Sequence, residues 1–241
     1  MNRNICTKAI LKAASIALFA VLFYTGCGDN GVKVVTPEVR TFTDKRDGKT
    51  YKEVTIGEQR WMAENLRYEA DGSVCSDGGW RRIDTAQMCE EYGRLYDWNT
   101  AMNGEHSSSS VPSGVEGVCP VGWHIPSDAE WHTLIDYVGI NAGTKLKARS
   151  WYGIQAPGET PVPDGTDKYR FTALPGGAGS TITGKMSFGA PGGACAWWSS
   201  TERESNEDAA WRWDIQSALT GVGRAAWEKH QYFLSVRCVK D

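Results

Sequence analysis

The sequence predicts an α+β domain of short strands, few helices and long loops. Three observations carry that expectation. The stretch Cys119 to Val138 (CPVGWHIPSDAEWHTLIDYV) reads as a helix with both ends marked. Several short segments alternate apolar and polar residues at the strand period of two. Finally, 11 tryptophans and 27 glycines stand among 241 residues. Large aromatics joined by glycine turns suit a loop-rich fold rather than a helix bundle.

The chain divides into three parts: 1–26, 27–40 and 41–241. Residues 1–26 read as a signal peptide. Arg3, Lys8 and Lys12 form a positive start, and Ala13 to Phe23 is an apolar run too short to span a bilayer comfortably. Tyr24-Thr25-Gly26-Cys27 resembles a bacterial lipobox, with Tyr24 where Leu is usual. Cys27 is therefore the expected lipidation site. A diacylglycerol thioether plus an N-acyl chain anchors a protein stably in a membrane. Gly28 at the next position points to the outer membrane or cell surface. Residues 28–40 read as a tether.

From Thr41 the pattern is that of a folded domain. Thr41-Phe42-Thr43 and Tyr51 to Ile56 flank an Asp47-Gly48 hairpin signal. Gly57-Glu58 turns the chain into a third strand at Gln59 to Met62. Residues 67–93 read as loop. Gly93 to Tyr96 reads as a strand, and Asp97 caps a short helix from Trp98 to Met102. Ser107 to Ser110 reads as a flexible surface loop. The principal helix follows. Ser127 and Glu130 form a capping box, Trp131, Leu134, Ile135 and Val138 make one apolar stripe, and Gly139 ends it. Gly143 to Ser150 is a second helix candidate. Tyr169 to Leu174, Ala196 to Ser200, the alternating Trp211, Trp213 and Ile215, and the alternating Leu234, Val236 and Cys238 read as strands. Trp61, Trp98, Trp123, Trp131, Trp197 and Trp211 or Trp213 are expected in the core.

The formal charge is −3. Removing residues 1–26, with three basic residues and no acid, leaves 23 basic against 29 acidic residues, a balance of −6. An acidic domain is a poor partner for nucleic acid.

Ordered blocks along the domain carry a family resemblance. They are DGKTYKEVTIGEQRWMAENL (Asp47 to Leu66), YGRLYDWNTAM (Tyr92 to Met102), CPVGWHIPSDAEWHTL, GTKLKA, FTALPGG (Phe171 to Gly177), WWSSTE (Trp197 to Glu202) and SVRCVKD (Ser235 to Asp241). Together they resemble the Fibrobacter succinogenes major paralogous domain over about residues 41–241. That resemblance implies a C-type-lectin-like fold, shared with the formylglycine-generating-enzyme and sulfatase-modifying-factor group. It implies small twisted antiparallel sheets, two flanking helices, long loops and neighbouring termini. Members are mostly exported proteins without an assigned activity.

Seven cysteines are present. Cys6 leaves with the signal peptide and Cys27 takes lipid, so five enter an oxidising compartment. Cys75 with Cys89 would close a short loop in an otherwise unanchored segment. Cys119 precedes the main helix and Cys238 lies on the last strand, elements that pack together in lectin-like folds. Pairing them would contribute roughly 4 kcal/mol on the loop-entropy picture. Cys195, between two alanines, reads as a buried, inert thiol.

No catalytic group stands out, and an enzyme is not expected. A thiol-dependent oxidase related to the formylglycine-generating enzyme would need two neighbouring cysteines late in the chain. The tail offers Cys238, near Trp227, His230 and Arg237, with Cys195 as the distant second. His124, Glu130 and His132 lack His-Glu-x-x-His spacing, so no metal site is assigned. No cofactor is expected beyond a structural calcium near Asp164, Asp167 or Glu202. Gly179 to Lys185 imitates a phosphate-binding loop but has Met186 where Ser or Thr belongs. Glu202 with Glu204, and Glu207-Asp208, read as solvated turn residues.

Loop aromatics give the binding hint. Trp80, Trp151, Tyr152 and Trp227 lie among glycines and charges, and exposed rings hold sugars or partner surfaces. The leading expectation is a non-catalytic binding or adhesion domain for polysaccharide, held at the membrane by its lipid. An envelope lipoprotein with a structural or protein-interaction role is the second, and the oxidase is the third.

Overall fold

A computed structural model describes residues 37–77, 84–151, 165–190 and 192–241. Thr36–Asp241 forms a compact unit by itself. It is mostly β, with two open sheets and four helices among the described residues.

The first sheet starts with the predicted meander. β1 (Val39–Thr43) and β2 (Thr50–Ile56) pair antiparallel across the Asp47-Gly48 turn, with Gly48 at φ 75°. That left-handed backbone is what glycine supplies without strain. β3 (Gln59–Met62) follows. α1 (Thr85–Tyr92), β4 (Leu95–Tyr96), α2 (Trp98–Met102), β5 (Trp123–His124), α3 (Asp128–Val138) and α4 (Ala142–Leu146) make the middle of the chain. β6 (Ala178–Ser180), β7 (Ser187–Gly189), β8 (Ala194–Arg203), β9 (Asn206–Gln216), β10 (Gly223–Glu228), β11 (Tyr232–Ser235) and β12 (Val239–Lys240) complete it. The first sheet runs β1-β2-β3-β12-β5, and the second runs β10-β9-β8-β11-β6-β7 with β4 on β11. Pairing is antiparallel except between β8 and β11.

The long strand β8 is the partition between two cores, because its side chains alternate. Trp198 and Ala196 belong to one cluster with Tyr51, Tyr96, Trp98, Trp123 and Val236. Cys195 and Trp197 belong to the other with Trp61, Trp131, Leu134, Phe171 and Trp213. α3 closes the second cluster. Its Trp131 ring lies 4.6 Å from Trp61, 5.5 Å from Trp197 and 6.3 Å from Trp213, centroid to centroid. The predicted capping box holds α3 in place. Glu130 N donates to Ser127 Oγ, and Ser127 N donates back to Glu130 Oε2.

Several elements differ from expectation. Two flanking helices are expected and four occur among the described residues. α1 falls inside the segment read as loop, started by Asp84 and Gln87, which form their own capping box. The second helix candidate, 143–150, shortens to α4, because Lys147 turns extended and bridges to Ala173. Tyr169 to Leu174 is not a strand. Asp167, Arg170 and Thr172 have φ of 44°, 57° and 51°, which interrupts extended backbone. The final alternating segment is divided: β11 joins the second sheet and β12 the first. Ser107 to Ser110 is tied to β8 rather than loose. Ser108 N donates to the Ser200 carbonyl, and Thr201 Oγ1 and Ser200 Oγ donate to the Ser108 carbonyl.

Candidate functional site

The two expected disulfides are present: Cys75 with Cys89, and Cys119 with Cys238. Cys27 lies outside the described residues, as do Trp80, Tyr152 and Asp164. The other two expected ligand aromatics are corrected by their surroundings. Trp151 is 3 % exposed and packs in the second core, so its ring cannot face a ligand. Trp227 is half-buried. Tyr232 stacks on it at 4.3 Å and the Arg212 guanidinium lies over it at 4.1 Å. These internal contacts cover much of the indole. The four rings therefore do not form one described binding face.

A cleft with a volume of about 500 Å³ lies elsewhere. It opens between the start of α3 and the turn joining β8 to β9, and Trp211 is its aromatic wall. Trp211 and Trp213 share one face of β9. α3 begins beside Trp213, whose Nε1 donates to Asp128 Oδ1 at 3.0 Å. Trp211, two residues nearer the turn, stays half-buried. Arg224 lies 3.3 Å over the Trp211 ring. The same guanidinium donates to both oxygens of Asp128, at 2.8 and 2.7 Å. This fork fixes both side chains, since the planar guanidinium matches a carboxylate geometrically. His132 stands one turn along α3, its Nε2 3.7 Å from Asp128 and its ring edge-on to Trp213 at 4.8 Å. Across the cleft Glu202 is held by Lys229, Nζ to Oε1 at 2.5 Å, and its amide donates to Ser107 Oγ at 2.9 Å. The Thr201, Arg203, Glu204 and Ser205 side of the hairpin completes the rim.

The cleft is thus a preformed surface with one aromatic wall and hydrogen-bonding groups of both signs. Two of its carboxylates are committed to cations: Asp128 to Arg224 and Glu202 to Lys229. The reading of Glu202 as a solvated turn residue is corrected accordingly, since it lies on β8, whereas Glu204 is exposed in the turn as expected. Glu202 is a fixed wall of the cleft and only the turn beyond it is open. Sequence reasoning placed Trp211 as an alternative to Trp213 in the core. The available signal was the Glu204-Ser205 turn beside it, which brings that end of β9 to the surface.

Other groups are placed as follows. Cys238 is bonded to Cys119, and Cys195 is 1 % exposed in the second core, its thiol pushed up by burial. The two sulfurs are therefore not paired with one another. Gly179 to Lys185 spans the end of β6 and a hairpin turn, with no helix after it to receive phosphate. Asp167 closes its own loop, accepting from Thr172 N at 2.8 Å and Thr172 Oγ1 at 3.0 Å. Among the described residues, no three His, Cys, Asp or Glu side chains converge as a metal site.

His124 is buried between two carboxylates. Its Nε2 lies 2.8 Å from Glu130 Oε1 and its Nδ1 2.6 Å from Asp241 Oδ1. Burial alone would lower its pKa, but the hydrogen bonds and charges of Glu130 and Asp241 leave it raised. Glu130 also accepts from Ser113 N and Ser127 N. His124 and Glu130 are buried while Asp241 closes the cluster from the surface, and the cluster braces α3 against β5.

A family model, the Fibrobacter succinogenes major domain, matches residues 54–240. The chain belongs to that family. No curated protein and no solved structure matches it.

Proposed function

We propose that the chain is a lipid-anchored protein of the bacterial envelope, held at the outer membrane or cell surface through Cys27. Its domain has a C-type-lectin-like fold and acts as a non-catalytic binding or adhesion module for polysaccharide. The supporting observation is the Trp211 cleft. Its volume of about 500 Å³ falls within the roughly 300–1,000 Å³ usual for ligand sites. Arg224 covers one face of the Trp211 ring, so it is the rest of this half-buried indole, on the cleft side, that offers an apolar surface to the C–H face of a sugar ring. The Asp128–Arg224 pair and Glu202 offer acceptors and donors already fixed in place, so little side-chain order is lost on binding. Carboxylates engaged this way suit binding better than proton transfer, and the reading needs no cofactor.

The test is binding of the full chain, in detergent micelles, to an array of plant and bacterial polysaccharides with and without calcium. Saturable binding to at least one glycan is expected. A calcium requirement would add a structural ion to the account. No binding to any glycan would overturn the reading and favour a structural or protein-interaction role in the envelope.

A further inference from the structure

A second cleft, separate from the Trp211 site, has a volume of about 120 Å³ and the guanidinium of Arg237 in its lining. Arg237 is 1 % exposed. The Phe171 and Trp197 rings pack against it, with centroids 4.2 and 5.3 Å away. Its hydrogen bonds go only to neutral oxygens. Nε and Nη2 donate to Asn65 Oδ1 at 3.0 and 2.7 Å, and Nη1 donates to the Phe171 carbonyl. Asn65 is in turn fixed by the Trp197 indole and by the Tyr92 carbonyl. A guanidinium carries five N–H donors, so one is left on each terminal nitrogen. A buried charge ordinarily has a counter-ion, and among the described residues Arg237 has no carboxylate partner. Burial accordingly pulls its pKa down to about 10, against smaller opposing effects of Cys195, Glu64 and Asp167. Arg67, in the same lining, has a buried Nε–H without a partner.

The rest of the lining selects the ligand. Glu64, Glu90 and Glu91 stand with Lys52, Arg67 and Arg237, so the lining is balanced in charge rather than uniformly basic, with Glu64 also accepting from Lys52 N at 2.7 Å. A polyanion would meet those glutamates. A small molecule with one carboxylate and one ammonium meets a complementary group at each end.

We propose that this cleft binds a small zwitterion of the amino-acid class, its carboxylate on Arg237 and its ammonium towards Glu64 and Glu90. The volume restricts the ligand to a few non-hydrogen atoms.

The experiment is calorimetric titration of the full chain with glycine, and separately with acetate, ethylamine and inorganic phosphate. Glycine should give saturable heat, with acetate at least tenfold weaker and the other two silent. Arg237 is buried, so Arg237→Lys risks misfolding. The half-buried Leu174 lines the same cleft, and Leu174→Trp should obstruct it while leaving the melting curve unchanged. Loss of glycine binding in a folded Leu174→Trp protein supports the site. No glycine binding to the unaltered chain, undiminished binding to Leu174→Trp, or acetate binding as tightly as glycine would overturn the proposal. None of these outcomes bears on polysaccharide binding at Trp211.

Discussion

His124 sits between Glu130 and Asp241 with its folded pKa raised, and that has a direct consequence for stability. A raised folded pKa means the folded state holds the proton more tightly than the unfolded chain does. The contribution is fully present below the unfolded value of about 6.5 and is lost as pH rises through the folded pKa. Urea denaturation of His124→Gln against the unaltered chain should therefore show its largest deficit in mildly acidic solution and a shrinking one in alkaline solution. A deficit that does not change with pH would reduce His124 to a packing role. Among single residues, the sequence showed what local patterns encode. Ser127 and Glu130 stood at capping-box spacing. Trp151 and Trp227 are less open than expected, because neighbouring glycines and charges do not say that Lys147, Arg212 or Tyr232 will pack on those rings.

Among elements, the disulfides differ in what they constrain. Cys75–Cys89 spans 14 residues and pins α1, while Cys119–Cys238 spans 119 and ties the approach to β5 to the link between the two sheets. On the loop-entropy picture these separations are worth about 3 and about 5 kcal/mol, the second a little above the roughly 4 kcal/mol expected from the sequence. Removing the long bridge by Cys119→Ala with Cys238→Ala should lower the stability of the whole domain by the larger amount. Removing the short one should cost less and mainly speed amide exchange in α1. Equal losses would contradict the assignment of the short bridge to a local role. The missed helix α1 illustrates why elements were only partly legible. Its Asp84-x-x-Gln87 signal was present in the sequence, but with eight residues and little apolar patterning it depends on the disulfide and on burial of Met88 and Tyr92. Likewise Gly143 to Ser150 had helical spacing, and only the tertiary bridge from Lys147 to Ala173 cut it short.

At the scale of the whole molecule, two aromatic cores meet across β8. Trp131 is the group through which α3 joins the second core, so Trp131→Ala should cost about 3–5 kcal/mol and loosen the α3 wall of the Trp211 cleft with it. A denaturation midpoint nearly unchanged by that substitution would contradict this view of the fold. The meander, α2, α3 and the long β8 and β9 strands follow from period and turn chemistry in the sequence. The cleft does not, because it is formed where the first turn of α3 stops short of the end of β9. Strand alternation puts Trp211 and Trp213 on one face, but the length of cover above them is a tertiary matter. The most direct measurement is the affinity of Trp211→Ala, beside Trp227→Ala, for whichever polysaccharide the unaltered chain binds. The account predicts a loss of roughly tenfold or more for Trp211→Ala, equivalent to about 1.4 kcal/mol, with Trp227→Ala little changed. Full affinity in Trp211→Ala would contradict it.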